Sequence, residues 1–167
     1  MAVDRETSAN HAGRSVEIRP AQAHDAEALS AIAFKAKAHW SYSAEALESW
    51  RRELAVSADE IASKSVFVAL ADGRIAGFYS FCPAERGWLL DHLWVLPEFM
   101  RRGIGRALVT HALETAARGG ASSVTVDADP NAESFYLACG ATRCGEVSAP
   151  ISGQTGRVRP QLRFRTN

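Results

Sequence analysis

Apolar and polar positions change their period along the chain, and the periods predict strands and helices in turn. Val16 and Ile18 fall on one face of the stretch "SVEIRPA", whose alternation is typical of a half-buried strand, and Pro20 ends it. In residues 24–38 and 43–54 the apolar side chains recur at helical spacing, so each of these stretches is predicted to be a helix.

The middle of the chain predicts a hairpin, a strand and a long helix. Two apolar runs flank Asp72-Gly73, a dipeptide that favours the tight turn of a β-hairpin. The next run, residues 87–97, is predicted to be a central strand closed by Pro97. Residues 101–120 then have a helical apolar face, and Gly119-Gly120 ends the helix.

Four shorter elements complete the chain and define the fold class. They are a strand over residues 122–128, a short helix over 130–140, and two final strands over 141–147 and 161–165. The order of elements predicts a mixed α/β fold whose sheet is antiparallel at first and has a crossover near its end. We expect one domain over residues 15–167, preceded by a flexible polar tail of residues 1–14.

Composition excludes several kinds of partner and ligand. The formal net charge of the 167 residues is zero, so no global field favours nucleic acid or an anionic membrane. No apolar run approaches the roughly 20 residues of a membrane span. The three cysteines lack metal-ligand spacing and so do the histidines, so we expect no metal. An odd number of cysteines fits a reducing compartment, and we expect the protein to be cytoplasmic.

The stretch "RRGIGRAL", residues 101–108, carries the clearest candidate chemistry. A helix that follows a glycine-bearing loop presents unpaired backbone N–H groups and a partial positive charge, which together bind anions. Arg101, Arg102 and Arg106 add positive charge, so a phosphate or pyrophosphate is expected here. The spacing does not match a P-loop, and Leu108 stands where a dinucleotide-binding motif needs a third small residue. ATP or NAD binding stays open as an alternative.

Two motifs in order carry a resemblance to a known family. The first is "MRRGIGRAL", and the second is "PNAESFYLACGA", which begins about 30 residues later. Residues 88–147, which contain both, resemble the GNAT superfamily of N-acetyltransferases. The resemblance implies a mixed, mostly antiparallel sheet flanked by helices, with splayed central strands. It also implies that acetyl-CoA is the cosubstrate and that an amine accepts the acetyl group by direct attack in a ternary complex.

The resemblance assigns the cofactor-binding residues. The acyl-CoA loop of the family reads Arg/Gln-x-x-Gly-x-Gly/Ala, and here Met100 departs from the first position. Backbone groups of Arg101, Arg102, Gly103, Ile104, Gly105 and Arg106 are expected to bind the pyrophosphate. Asn131 is expected to touch the pantetheine or phosphate region. Backbone groups of Leu93, Trp94 and Val95 are expected to pair with the pantetheine arm and to stabilise the carbonyl oxygen.

Three side chains are candidates for proton transfer. By the resemblance, Tyr136 lies near the sulfur, where a phenol that is protonated at neutral pH can act as a general acid. Asp91 and His92 are both candidates for the base that takes the proton from the amine. Strict alternation places these two on opposite faces of the strand, with Asp91 on the face of Leu93 and Val95. The choice between the two stays open.

The acceptor is expected to be a small-molecule or peptide primary amine, bound between the first helices and the antiparallel strands. Trp40, Tyr42, Tyr79 and Phe81 are candidate walls of that pocket. The sequence does not identify the amine, and it leaves a homodimer open, since family members often pair. A non-catalytic acyl-CoA-binding module on the same fold is the second hypothesis for function.

Overall fold

A seven-stranded sheet forms the centre of the computed structural model, which describes residues 16–85 and 87–166. The strand order is β1-β2-β3-β4-β5-β7-β6, and β4 and β5 are parallel whereas every other neighbouring pair is antiparallel. The strands are β1 (Glu17–Pro20), β2 (Ser65–Ala71), β3 (Arg74–Ala84), β4 (Gly87–Val95), β5 (Ser123–Asp127), β6 (Thr142–Ser148) and β7 (Val158–Arg165). The predicted fold class is confirmed. The proposed tail, residues 1–14, lies outside the described residues.

Within residues 16–85 and 87–166, six α-helices connect the strands of the sheet. They are α1 (Ala26–Ala38), α2 (Ala44–Ser49), α3 (Arg51–Leu54), α4 (Ala58–Ser63), α5 (Ile104–Arg118) and α6 (Glu133–Ala138). The single helix predicted from residue 43 is divided at Trp50 into α2 and α3. Sequence reasoning missed α4. Its signal was a capping box, in which Ser57 and Glu60 each bond the other's backbone N–H.

Successive residues of β3 point to opposite faces of the sheet. The Tyr79 hydroxyl lies 2.8 Å from Nδ1 of His111 on α5, so Tyr79 points toward the face that α5 covers. Its neighbour Ser80 therefore points to the opposite face, together with its pairing partner on β4, His92. Lys64, which follows α4, also reaches that second face, because its amine lies 3.3 Å from the Asp91 carboxylate.

The parallel strands β4 and β5 separate soon after they meet. Pairing is restricted to Trp88 with Val124 and Leu89 with Thr125. Beyond these two pairs, β4 continues to Val95 with its other edge paired to β3. This is the splay of the central strands that the resemblance implied, and it opens a cavity of about 1430 Å³ between the two strands and the surrounding helices.

Candidate active site

The loop before α5 presents backbone donors to the cavity. Gly103 is the residue before the first helical turn and has a left-handed backbone (φ +82°), and Arg101 is also left-handed (φ +63°). The first N–H groups of a helix have no carbonyl partner inside it, and no side chain caps α5 at Gly103. Met100, Arg101, Gly103, Gly105 and Arg106 all line the cavity. The loop can therefore bind an anion with its backbone.

The two glycines of this loop lack a side chain for different structural reasons. A Cβ at Gly103 would meet no atom within 4 Å, so the space in front of this residue is open to a ligand. A Cβ at Gly105 would lie 3.1 Å from the ring of Phe135 on α6. Gly105 therefore allows α5 and α6 to pack closely, whereas Gly103 leaves room for the ligand.

The free edge of β4 is the second binding element. Leu93, Trp94 and Val95 line the cavity, and they lie beyond the last residue pair that β4 forms with β5. Backbone groups on an unpaired strand edge can pair with an extended chain as another strand would. The role of these three residues in binding the pantetheine arm stays a prediction.

A β-bulge in β4 corrects the expectation that Asp91 and His92 face opposite ways. Ser80 pairs with His92 and the next residue, Phe81, pairs with Leu90, so Asp91 is the extra residue. An extra residue interrupts alternation and re-aims side chains. Asp91 and His92 consequently share the face opposite α5, where the carboxylate lies 3.9 Å from Nε2 of His92. Leu93 pairs with Tyr79, so it lies on the α5 face and not with Asp91.

The hydrogen bonds of His92 define its tautomer. The indole N–H of Trp94 donates to Nδ1 of His92 over 2.9 Å, so Nδ1 is the deprotonated nitrogen and Nε2 carries the proton in the neutral ring. Burial lowers the pKa of His92 below its ordinary value. The neutral ring therefore presents an N–H toward Asp91, and its lone pair is engaged by Trp94.

Asp91 is held in its ionised form. Burial opposes this, but interactions with His92, the Cys82 thiol and the Lys64 amine outweigh burial, so the pKa of Asp91 lies below its ordinary value. The thiol of Cys82 donates to the carboxylate over 3.3 Å. Asp91 lines the cavity beside His92, so a carboxylate is available to an amine that enters there.

Tyr136 lies on α6 and lines the same cavity. Its side chain is almost completely buried, packed edge-on against Phe135 and Phe164. Burial raises the pKa of its phenol well above the ordinary value, so the hydroxyl is protonated at neutral pH. A hydroxyl in this state can donate a proton or a hydrogen bond.

Tyr42 and Asn131 take part in a polar cluster that sequence reasoning missed. The Asp129 carboxylate accepts from the Lys37 amine (2.5 Å) and from the Tyr42 hydroxyl (2.9 Å). The Asn131 amide bonds Asp129 (3.0 Å) and Tyr42 (3.2 Å), and Arg157 bonds the Tyr42 hydroxyl (3.3 Å). The amide of Asn131, expected to contact the cofactor, is thus engaged within this cluster.

A second, smaller cavity of about 820 Å³ lies on the other side of this cluster. Trp40, Asn131 and Arg157 line both cavities, and Tyr42 lines the smaller one. Trp40 and Tyr42 come from the connection between α1 and α2, where the acceptor pocket was predicted. The two aromatic residues at this helix break therefore do border open space.

Tyr79 and Phe81 were wrongly predicted to be walls of the acceptor pocket. Both are buried beneath α5, and neither lines either cavity. The Tyr79 phenol, whose pKa burial raises to about 12, bonds His111 on α5. The error has a physical cause, because alternation places two residues of a strand on one face without indicating which helix covers it.

Two classes of feature are absent from the described part of the chain. Across residues 16–85 and 87–166, no group of three or more His, Cys, Asp or Glu side chains is arranged to hold a metal ion. No helix in the same part of the chain is long and apolar enough to cross a membrane.

Comparisons with known proteins agree with this geometry. The sequence profile of the acetyltransferase (GNAT) family matches residues 32–141. The uncharacterized N-acetyltransferase YafP of Escherichia coli (strain K12) is 29% identical over 126 residues, which cover 73% of this chain and 78% of YafP.

Solved structures with the same fold are also N-acetyltransferases. A GCN5-related N-acetyltransferase from Rhodopseudomonas palustris superposes with a TM-score of 0.75 at 23% identity, over 90% of this chain and 96% of that one. The PaiA N-acetyltransferase from Thermoplasma acidophilum, solved in complex with coenzyme A, gives a TM-score of 0.68 at 21% identity, over 90% and 99%. At these identities the superpositions establish the shared fold.

Proposed function

From the premise that this chain belongs to the acetyltransferase (GNAT) family and is an N-acetyltransferase, we propose that it transfers the acetyl group of acetyl-CoA to a primary amine. The amine attacks directly while both substrates are bound. The acceptor is a small molecule or a peptide.

One observation carries the proposal. The free edge of β4, the open N-terminus of α5 and the Tyr136 side chain line a single cavity. The N–H groups around Gly103 suit a pyrophosphate, and the edge at Leu93–Val95 suits an extended pantetheine arm. A thioester held by both would have its carbonyl beside β4.

The chain's residues then have separate roles in the transfer. Acetyl-CoA supplies an activated acyl carbon. As the amine nitrogen bonds to that carbon and the carbon–sulfur bond breaks, backbone N–H groups of β4 stabilise the charge on the carbonyl oxygen. Tyr136 donates a proton to the departing sulfur, which matches its protonated state. The amine loses one proton in the same reaction, and a proton from water restores the phenol of Tyr136.

Asp91 is the better of the two candidate bases. The lone pair of His92 at Nδ1 is occupied by Trp94, and Nε2 already carries a proton. Asp91 is ionised and borders the cavity. Its low pKa makes it a weak base, so it acts by attracting the ammonium group and passing the proton to water. His92 is a positioning residue, because its Nε2 lies 3.9 Å from that carboxylate.

The test is release of the CoA thiol from acetyl-CoA with a panel of primary amines. We expect turnover with at least one amine, and double-reciprocal lines that intersect when both substrates are varied. Parallel lines would contradict direct attack and indicate an acetylated enzyme. Tight CoA binding without turnover of any amine would instead support the non-catalytic module.

A further inference from the structure

Three cationic side chains, from α1 and from the chain around the start of β7, border the cavity. We call Lys37, Arg157 and Arg159 the cationic cluster. Lys37 is near the C-terminal end of α1, whereas Arg157 and Arg159 lie at the start of β7. All three line the larger cavity. Lys37 and Arg157 are buried, which makes their positive charges costly unless they are compensated.

Two carboxylates lie beside the cationic cluster, so one positive charge is left over. Asp129 accepts from Lys37, and its Oδ2 lies 3.6 Å from Arg157. The Asp127 carboxylate accepts from Gln161 (2.9 Å), whereas Arg159 donates to the backbone carbonyl of Asp127. The excess positive charge affects the protonation of Lys37. The pKa of Lys37 is lowered, chiefly by burial, and repulsion from Arg157 and Arg159 adds to the shift.

Hydrogen-bonding capacity in the cluster is also incompletely used. The guanidinium of Arg157 donates to the Ala149 carbonyl (3.0 Å) and the Tyr42 hydroxyl (3.3 Å), but its buried Nε has no partner among the described residues. The Lys37 amine has three donors, and its remaining contacts are the rings of Trp50 (4.1 Å) and Tyr42 (4.8 Å). The buried Nε of Arg157 calls for an explanation, and an acceptor on a bound substrate would supply one.

The cationic cluster lies near the proposed general acid, Tyr136. The charges of Arg159 and Asp129 both affect the pKa of Tyr136, the proposed general acid, although burial dominates that shift. The arginines of the pyrophosphate loop are a separate group at the N-terminus of α5. An anion bound by the cationic cluster would therefore belong to the acceptor.

We propose that the acceptor is an amine that also carries an anionic oxygen group, a carboxylate or a phosphate, which the cationic cluster binds. This inference rests on the proposed acetyl transfer and names its substrate class. The guanidinium of Arg157 and the Lys37 amine supply charge-assisted hydrogen bonds to the anion. Because positive charges nearby disfavour an ammonium ion, the same cluster favours the neutral amine that attacks the acetyl carbon.

The experiment compares matched amines at saturating acetyl-CoA, with CoA thiol release as the measurement. Each standard L-amino acid is tested beside its amide, and O-phosphoethanolamine beside ethanolamine. We expect the anionic member of at least one pair to have the larger kcat/KM by about tenfold or more. The amino acid and phosphate pairs distinguish a carboxylate from a phosphate.

Variants of the cluster test whether these residues recognise the anion. Arg157→Gln should raise the KM of the preferred anionic amine about tenfold or more and leave the KM of its neutral partner and of acetyl-CoA unchanged. Arg157→Lys should restore part of the loss. If Arg157→Gln fails to fold, Arg159→Gln takes its place. Arg118→Gln, which removes a positive charge at the exposed C-terminal end of α5, is the control.

The outcomes separate this inference from the proposed function. Equal turnover of the anionic and neutral members of every pair would overturn the inference and leave acetyl transfer intact. A KM in Arg157→Gln and Arg159→Gln that changes no more than in Arg118→Gln would overturn it as well. Turnover of no amine at all would contradict the proposed acetyl transfer, and the inference with it.

Discussion

Burial and a few short contacts decide what each ionisable side chain of the cavity can do. Tyr136 stays protonated because its phenolate would be buried. Asp91 stays ionised because Lys64, His92 and the Cys82 thiol favour its charge. His92 stays neutral, and Trp94 occupies its lone pair. At neutral pH the site therefore combines a protonated phenol, an ionised carboxylate and a neutral imidazole.

Replacing Tyr136 with phenylalanine tests the proposed general acid. We expect Tyr136→Phe to lower kcat about 100-fold, because the departing sulfur loses its proton donor, and to leave acetyl-CoA affinity unchanged. Steady-state rates and equilibrium binding measure the two effects. Tyr79→Phe is the matched control, since it removes a buried hydroxyl that does not line the cavity. Unchanged kcat in Tyr136→Phe would remove the acid from the mechanism.

Trp94 should control the protonation of His92. A donor that bonds the neutral ring at Nδ1 disfavours the imidazolium, so Trp94→Phe should raise the pKa of His92 toward its ordinary value. An NMR titration of the histidine rings measures this. Trp88→Phe changes another tryptophan of β4, whose ring packs against Phe81, and should leave the His92 titration unchanged. An unaltered His92 pKa in Trp94→Phe would mean that this hydrogen bond has no effect on protonation.

At the level of elements, the sequence indicated α5 and its loop but not the geometry of β4. The apolar period and the glycines predict a strand, a loop and a helix in the right order, because these signals are local. The bulge at Asp91 follows from pairing between β3 and β4, which no local period reveals. Alternation therefore predicted the face of Asp91 incorrectly.

The two ends of α5 offer a matched test of the pyrophosphate loop. Gly103 and Gly120 have nearly the same left-handed backbone (φ +82° and +81°), and an added Cβ meets nothing within 4 Å at either position. Alanine at either site should therefore destabilise the fold by about 1–2 kcal/mol. Gly103→Ala alone should raise the KM for acetyl-CoA, about tenfold, because its methyl group occupies space that the pyrophosphate needs. Thermal unfolding and steady-state kinetics measure these effects, and equal KM values in the two variants would contradict this role for the loop.

Across the whole molecule, the polar cluster around Asp129 joins segments that are far apart in sequence. Lys37 and Asp129 are separated by 92 positions, and Tyr42 and Arg157 by 115. Tyr42 was a predicted pocket wall, but Lys37, Asp129 and Arg157 carry no such signal in the sequence. The fold brings these residues together because α1 and β5 end at the cavity and β7 begins there, so long-range topology rather than local pattern creates this part of the site.

Stability of the whole fold should fall as the pH decreases from about 7 to about 5. Burial lowers the pKa of His92 and of His111, so the unfolded chain binds protons near pH 6.5 that the folded chain does not. Each such histidine removes at most about 1.4 kcal/mol of unfolding free energy per pH unit. The lowered carboxyl pKa values act in a more acidic range, because stability from those groups is lost only below about pH 5.

Urea unfolding across this pH range measures the effect. The double variant His92→Gln/His111→Gln should flatten the dependence, whereas His39→Gln, which changes an exposed histidine, should retain the wild-type slope. Because protonation of His111 would place a second proton against the Tyr79 hydroxyl, His111→Gln alone should remove part of the slope. A double variant as pH-sensitive as the wild type would show that neither histidine resists protonation in the folded state.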